Sequence, residues 1–390
     1  MRGDFQVSME MYVLPAINMV GAGCVNRIGR ESVRLGGKKA LVVASIGEVG
    51  EAQAKQIGDI LQNAGIEAVL FPKATPNPTE ETVTEGAAFY KANNCDMLAA
   101  VGGGSAIDAA KGIGIIVSNG GNIADYEGSG KVKNVLPPFV AIATTAGTGS
   151  EVTQFAVISD INHNKRTIVD RHMVPTISVN DPEMMLSMPP SLTAATGMDA
   201  LTHAIEAYVS NKGTPINGCK AWEAIKLVAE NLPVAVKNGH DITARENMCC
   251  ASFLAGIAFN NAGLGLVHAM SHPLGGHYNL PHGLCNALLL HAVCNFNLTQ
   301  ETAHLFADIS MALGAGRGWG SDRDNAEAAL KAIKNLQHEV GFTKGLKEYG
   351  VKREDFSMLA ELALLESVGK NNPRRFTKED VIALYEECYW

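Results

Sequence analysis

"CDMLAAVGGGSAIDAAKGIGIIVS", residues 95–118, decides the fold. Its first seven residues form a short apolar run, read as a buried strand. Gly102, Gly103 and Gly104 interrupt it, and a helical segment follows. Strand, glycine turn and helix in that order make an α/β unit. The glycines let the backbone turn tightly and present several N–H groups, and Ser105 adds a hydroxyl at the helix start. Amides and a helix dipole at such a place suit a phosphate. The run is neither GxGxxG nor GxxxxGK[ST], so on the motif alone a plain strand-to-helix turn fits equally well.

The same alternation extends on both sides. "KALVVAS" (39–45), "IEAVLF" (66–71), "PPFVAIAT" (137–144) and "PTISVND" (175–181) read as further strands. "EAQAKQIGDILQNAG" (51–65), which stops on Gly65, and "PTEETVTEGAAFYKANN" (78–94) read as helices. Strands alternating with helices imply a parallel sheet covered on both faces. After Asp181 the period changes. "PPSLTAATGMDALTHAIEAYVS" (189–210), "NGCKAWEAIKLVAENLPVAV" (217–236) and "ARENMCCASFLAGIAFNNA" (244–262) are helical, and strand signals nearly vanish. The expected fold is an α/β N-terminal domain with a nucleotide-binding parallel sheet, residues 1–185, followed by an all-α domain, residues 186–390.

Composition narrows the class. Of 390 residues, 46% are hydrophobic and 18% charged, which suits a globular protein with a large interior. A net charge of −8 and no long basic run argue against nucleic acid as a partner. The eight cysteines form no CxxC pair and read as reduced thiols. No signal peptide and no apolar run of about 20 residues is visible. A cytoplasmic protein with no membrane partner is expected.

Three further segments carry chemistry. "TTAGTGSE" (144–151) puts Thr144, Thr145, Thr148 and Ser150 after a strand, where ligands of open α/β sheets bind. A second polar, glycine-rich loop at one sheet edge favours a dinucleotide. "GMDALTHAIEAY" (197–208) sets Asp199 and His203 four apart, on one helix face. Glu206 is an alternative ligand three residues on. "GLGLVHAMSHPLGGHYNLPHG" (263–283) holds His268, His272, His277 and His282, with His291 beyond. His268 and His272 again share a helix face. A lone histidine in an apolar segment is usually a satisfied core residue. Several together, with a carboxylate–histidine pair elsewhere, fit a divalent metal better, and imidazole with carboxylate suits Fe, Zn or Mn.

Taken together these segments resemble the iron-containing (group III) alcohol dehydrogenases. The resemblance rests on "PNPT" (76–79), "GGGSAIDAAKGIG" (102–114), "TTAGTGSEVT" (144–153), "NDPEMM" (180–185), "LTAATGMDALTHAIEAY" (192–208), "GLGLVHAMSHPLGG" (263–276), "LPHGLCNALLL" (280–290) and "NPR" (372–374). It implies a dehydroquinate synthase-like fold. It implies that Asp199, His203, His268 and His282 bind the metal, Fe2+ with Zn2+ or Mn2+ as alternatives. His272 is then a proton relay beside the substrate, and His277 has no assigned role. The nicotinamide cofactor is expected across Gly103, Gly104, Ser105, Thr144, Thr145 and Thr148, with Lys165 and Leu186 as further contacts. Where the family often has Asp after the first strand, to meet the adenosine ribose, this chain has Ser45. NAD with tolerance of NADP is therefore expected.

The expected reaction is reversible oxidation of a small primary alcohol or diol to an aldehyde, by a homodimer or higher homo-oligomer. The runner-up is a metal- and nicotinamide-dependent lyase on the same fold. Such enzymes need basic residues for a phosphorylated, carboxylated substrate, and no Lys or Arg lies between Arg245 and Arg317. A non-enzymatic nucleotide-binding protein is a third reading, which leaves the histidines unexplained.

Overall fold

The computed structural model describes residues 11–161 and 164–390. Val13–Ser187 forms one compact unit, and Met188–Trp390 with Tyr12 forms the other.

The first unit is built on β1 (Ile17–Val20), β2 (Lys39–Ser45), β3 (Glu67–Ala74), β4 (Met97–Gly102), β5 (Gly128–Ser129), β6 (Phe139–Ala143), β7 (Phe155–Ser159), β8 (Lys165–Val169) and β9 (Ile177–Asn180). Its helices are α1 (Ile28–Arg34), α2 (Glu48–Asn63), α3 (Glu80–Ala92) and α4 (Gly104–Asn119). Six strands make a parallel sheet in the order β1-β9-β6-β4-β2-β3. Alternate residues of the central strands enter opposite cores. Leu41, Val43, Leu98 and Ala100 pack with Ala87 of α3 and Ile107 and Ile113 of α4. Ala40, Val42, Ala99 and Val101 pack with Ile28 of α1 and Ile57 and Leu61 of α2. Burial on both faces is why these strands read as continuous apolar runs rather than alternating ones. Gly65 after α2 has φ +85°, the left-handed conformation that stops a helix without strain.

The chain leaves β2 toward β3 on one side of the sheet and leaves β4 toward β6 on the other. The carboxyl ends of β2 and β4 therefore bound a topological switch point, the usual ligand position in such sheets. A second sheet, β5-β8-β7, is not expected from the sequence. Its β7–β8 pair is antiparallel, and β8 mixes Lys165, Arg166 and Thr167 with apolar residues, which hides the strand period. Short β1 also escapes the pattern. It pairs with β9 at the edge of the large sheet.

The second unit is helical: α5 (Pro190–Val209), α6 (Pro215–Lys237), α7 (Ile242–Ala262), α8 (Leu266–Tyr278), α9 (His282–Asn297), α10 (Ala303–Ala312), α11 (Asp322–Glu339), α12 (Phe356–Leu365) and α13 (Lys378–Glu387). Among the described residues no strand follows Asn180. From Thr196 to Val209, α5 is buried all round, so it is the central helix of this unit. Tyr12 joins the unit through Lys220, whose Nζ lies 5.8 Å from the ring centre. At the start of α9 the backbone comes very close to α5. A Cβ on Gly283 would stand 2.4 Å from the Ala195 carbonyl oxygen, so only glycine fits.

Candidate active site

Asp199, His203 and Glu206 follow one another along α5 at intervals of four and three residues, which puts them on one face. His268 and His272 do the same on α8. His282 is the first residue of α9, held after Pro281. These three helices bring one atom each of Asp199, His203, His268 and His282 within 4.8 Å of one another. Asp199 Oδ1 lies 3.7 Å from His203 Nε2, 4.0 Å from His268 Nε2 and 3.6 Å from His282 Nε2. The His203 and His268 rings stack at 4.7 Å, and Phe259 stacks on the other side of His203 at 4.3 Å.

Asp199, His203 and His268 are buried, and His282 is partly open. Burial raises the Asp199 carboxyl above its ordinary range, against the pull of His203. Burial, then the nearby imidazoles of His203 and His272, pushes His268 well below the usual histidine value.

Glu206 does not join the four donors, contrary to its reading as an alternative ligand. It stands behind His268, whose Nδ1 lies 2.6 Å from Glu206 Oε2. The sequence spacing showed the shared helix face but not which ring nitrogen each carboxylate would meet. Asn286, one turn into α9, was missed. Its Nδ2 lies 2.7 Å from Asp199 Oδ1, 3.1 Å from His268 Nε2 and 3.2 Å from His282 Nε2. Its four-residue spacing from His282 was the available signal. His272 lies just outside the four, its ring 5.6 Å from that of His282, and its Nδ1 meets Glu366 Oε2 at 3.1 Å. Nothing in the sequence pointed to Glu366. His277 is half exposed and faces Asp355 instead, at 3.7 Å. His291 is also elsewhere: burial, then Lys334 and His338, lowers its pKa.

In the α/β unit the two glycine-rich loops meet. Gly103 and Gly104 open α4. A Cβ on Gly103 would lie 3.3 Å from the Thr145 side chain, and one on Gly104 would lie 3.1 Å from Thr148. Thr144 donates its N–H to the Gly102 carbonyl at 3.0 Å. Ser45 ends β2 beside them, its Oγ 3.1 Å from where a Gly102 Cβ would be. Ser105 follows in the first turn of α4, whose start no side chain caps. The Thr145 hydroxyl is buried and has no hydrogen-bond partner. Fully buried Lys111 ties α4 to the second loop, donating to the Thr153 carbonyl at 2.9 Å and the Phe155 carbonyl at 2.6 Å. Asp108 accepts from Ser150 Oγ and from Val157 N. Lys165 opens β8, and its charge helps hold the Asp108 carboxyl down against burial. Leu186 caps the short turn Pro182–Met185 after β9.

Residues 15–182 match the profile described as iron-containing alcohol dehydrogenase, and residues 193–389 match that of the C-terminal part of the Fe-containing alcohol dehydrogenase family. The chain belongs to the iron-containing alcohol dehydrogenase family. It is 43% identical to the NAD-dependent methanol dehydrogenase of Bacillus methanolicus, over 97% of this chain and 100% of that one. It is 42% identical to the 1,3-propanediol dehydrogenase of Klebsiella pneumoniae, over 97% and 98%. A crystal structure of a 1,3-propanediol oxidoreductase superposes with a TM-score of 0.95, at 42% identity, covering 98% of this chain and 100% of that one. The fold is the dehydroquinate synthase-like fold of this family.

The residues present fit the family's metal. A tetrahedral ion with bonds of about 2.1 Å spaces its ligand atoms by about 3.4 Å, close to the separations from Asp199 Oδ1. Asn286 Nδ2 lies against three of these atoms, and one carboxylate with three imidazoles is a donor set that suits a divalent cation.

Proposed function

We propose that this family member is an NAD(P)-linked dehydrogenase of small primary alcohols or diols that also reduces the corresponding aldehydes. Asp199, His203, His268 and His282 hold the metal. Fe2+ is the first assignment, and Zn2+ or Mn2+ suits the same donors. The observation that carries the reading is the convergence of one carboxylate and three imidazoles in the helical unit. The cofactor lies on Ser45, Gly103, Gly104, Ser105, Thr144, Thr145 and Thr148, with Lys165 and Leu186 as further contacts. The unpaired Thr145 hydroxyl and the uncapped start of α4 support this placement.

When bound, the metal polarises the alcohol oxygen and the nicotinamide takes up hydride. His272 handles the proton. Glu366 engages its Nδ1, which leaves Nε2 for the substrate side. The stretch from 246 to 316 holds no Lys or Arg, so it suits a neutral substrate rather than an anionic one. The relatives' activities on methanol and 1,3-propanediol place the substrate among short alcohols.

A homo-oligomer in the cytoplasm completes the proposal. No disulfide joins any of the eight cysteines, and β1 and β3 are sheet edges that a second copy can extend. No single helix among the described residues is long and apolar enough to cross a membrane. The direct test assays a panel of aldehydes with NADH and NADPH, together with metal analysis and a chelator. Chelation is expected to abolish turnover and Fe2+ to restore it. Full turnover by metal-free protein overturns the reading.

A further inference from the structure

Glu206 is almost fully buried. Its partners are three N–H groups. Oε2 accepts from Gly265 N at 2.9 Å and lies 2.6 Å from His268 Nδ1, and Oε1 accepts from Val267 N at 2.7 Å. Gly265 and Val267 belong to the start of α8, whose N-cap Gly265 has no side chain to satisfy those amides. The carboxylate thus replaces the missing cap and at the same time grips the ligand helix at its histidine. Gly265 suits that close approach, since a Cβ there would stand 3.0 Å from Asn372 Oδ1 and 3.1 Å from Glu206 Oε1.

We infer that Glu206 is a positioning residue that fixes the tautomer of His268. The inference rests on the ligand reading above. Both Glu206 oxygens already accept backbone N–H groups, so the carboxyl meets His268 as an acceptor and Nδ1 carries the hydrogen. In a neutral ring Nε2 then carries the lone pair. Nε2 is the nitrogen that faces Asp199 Oδ1, at 4.0 Å. A carboxylate behind a metal-bound imidazole sets ring orientation and raises ligand basicity, and its loss typically costs 10–100-fold in metal affinity.

Glu206→Gln separates this role from helix capping. Neither orientation of the amide suits all three N–H groups. With its oxygen on Oε1, its NH2 donates toward His268 Nδ1 and drives the proton to Nε2, where the ion must bind. With its oxygen on Oε2, the NH2 opposes the Val267 N–H. Asn372→Ala is the control. Asn372 Oδ1 accepts from Leu266 N in the same turn of α8, and its amide also bonds to Asn297 and to the Arg374 carbonyl, yet no hydrogen bond joins it to His268.

The experiment titrates Co2+ into metal-free full-length wild type and both variants, and reads imidazole 15N shifts in histidine-labelled metal-free protein. Wild type is expected to hold His268 as the Nδ1–H tautomer. Glu206→Gln is expected to bind Co2+ at least tenfold more weakly than wild type, with Nε2–H newly populated. Asn372→Ala is expected to lose thermal stability but stay within threefold of wild-type affinity. Equal affinity losses in the two variants, or an Nε2–H tautomer in wild type, overturns the inference; the wild-type spectrum decides even if Glu206→Gln does not fold. If wild type binds no Co2+, or His203→Ala binds it as tightly as wild type, the ligand reading itself fails instead.

Discussion

Gly283→Ala tests how the first turn of α9 is seated against α5. The added Cβ would stand 2.4 Å from the Ala195 oxygen and 2.8 Å from its carbonyl carbon. Ordinary carbon contacts are about 3.5 Å or longer, so the turn must retreat by roughly 1 Å. Both atoms it meets are helix backbone and cannot give way cheaply. Overpacking of this kind costs about 1–3 kcal/mol. In a unit of some 200 residues each kcal/mol lowers Tm by about 2–4 °C, so the metal-free variant is expected to melt roughly 2–12 °C lower. His282 adjoins the substituted residue and moves with it. Sites of this kind tolerate about 0.5 Å of displacement, so Co2+ affinity should fall about tenfold or more, equivalent to about 1.4 kcal/mol. Calorimetry reads the first effect and a cobalt absorbance titration the second. Gly50→Ala is the comparison, because its Cβ would stand 1.8 Å from the Ser45 oxygen in the α/β unit. It should also lower stability, and leave cobalt affinity unchanged. An unaltered Tm and affinity in Gly283→Ala would refute the close seating of α9.

Three other outcomes are expected. His268→Ala should lose the metal, whereas His272→Ala should keep it and lose kcat by 100-fold or more, the usual worth of a general acid–base; metal analysis with steady-state kinetics separates them, and equal metal loss would make the pair joint ligands. Ser45→Asp should raise the NAD-to-NADP ratio of kcat/KM about tenfold, or about 1.4 kcal/mol, because a carboxylate binds ribose hydroxyls and repels a 2′-phosphate; an unchanged ratio means Ser45 does not meet the ribose. Burial pushes the Glu151 pKa from 4.5 up to about 7. The folded state then holds this proton when the unfolded state has lost it, so its stability contribution is complete below pH 4.5 and is lost as pH rises to 7. Glu151→Gln should flatten the wild-type slope over that window by up to about 1.4 kcal/mol per pH unit, as read from denaturant midpoints; identical slopes would show that Glu151 titrates normally.

Much of this was legible in the sequence, for identifiable reasons. The central strands betrayed themselves because burial on both faces leaves no polar residue in "LAAVG" or "FVAIA". The Asp199–His203 and His268–His272 pairs were legible because a helix fixes which residues share a face. Spacing gives the face but not the depth or direction of each side chain, so Glu206 could be read as a ligand although it stands behind His268. Glu366 lies 94 residues from its partner His272, a distance that no local pattern encodes. The β7–β8 pair was hidden because Arg166 of β8 meets acidic partners, Glu80, Glu127 and Asp160, where the strand template calls for alternation.

Lys111 has one further consequence. Its ammonium group holds two carbonyl oxygens and the Thr153 hydroxyl of the loop beyond the second glycine-rich turn, while its own helix carries the first. The two turns are thereby locked into one rigid body before any cofactor arrives. Ordering a mobile loop on association costs about 0.5–1.5 kcal/mol for each immobilised side chain, and here that ordering is complete in advance. A dinucleotide bound at these turns, as proposed above, would meet them already tied together by Lys111. Turnover can then be limited by chemistry or by other motions, rather than by the folding and unfolding of a binding loop.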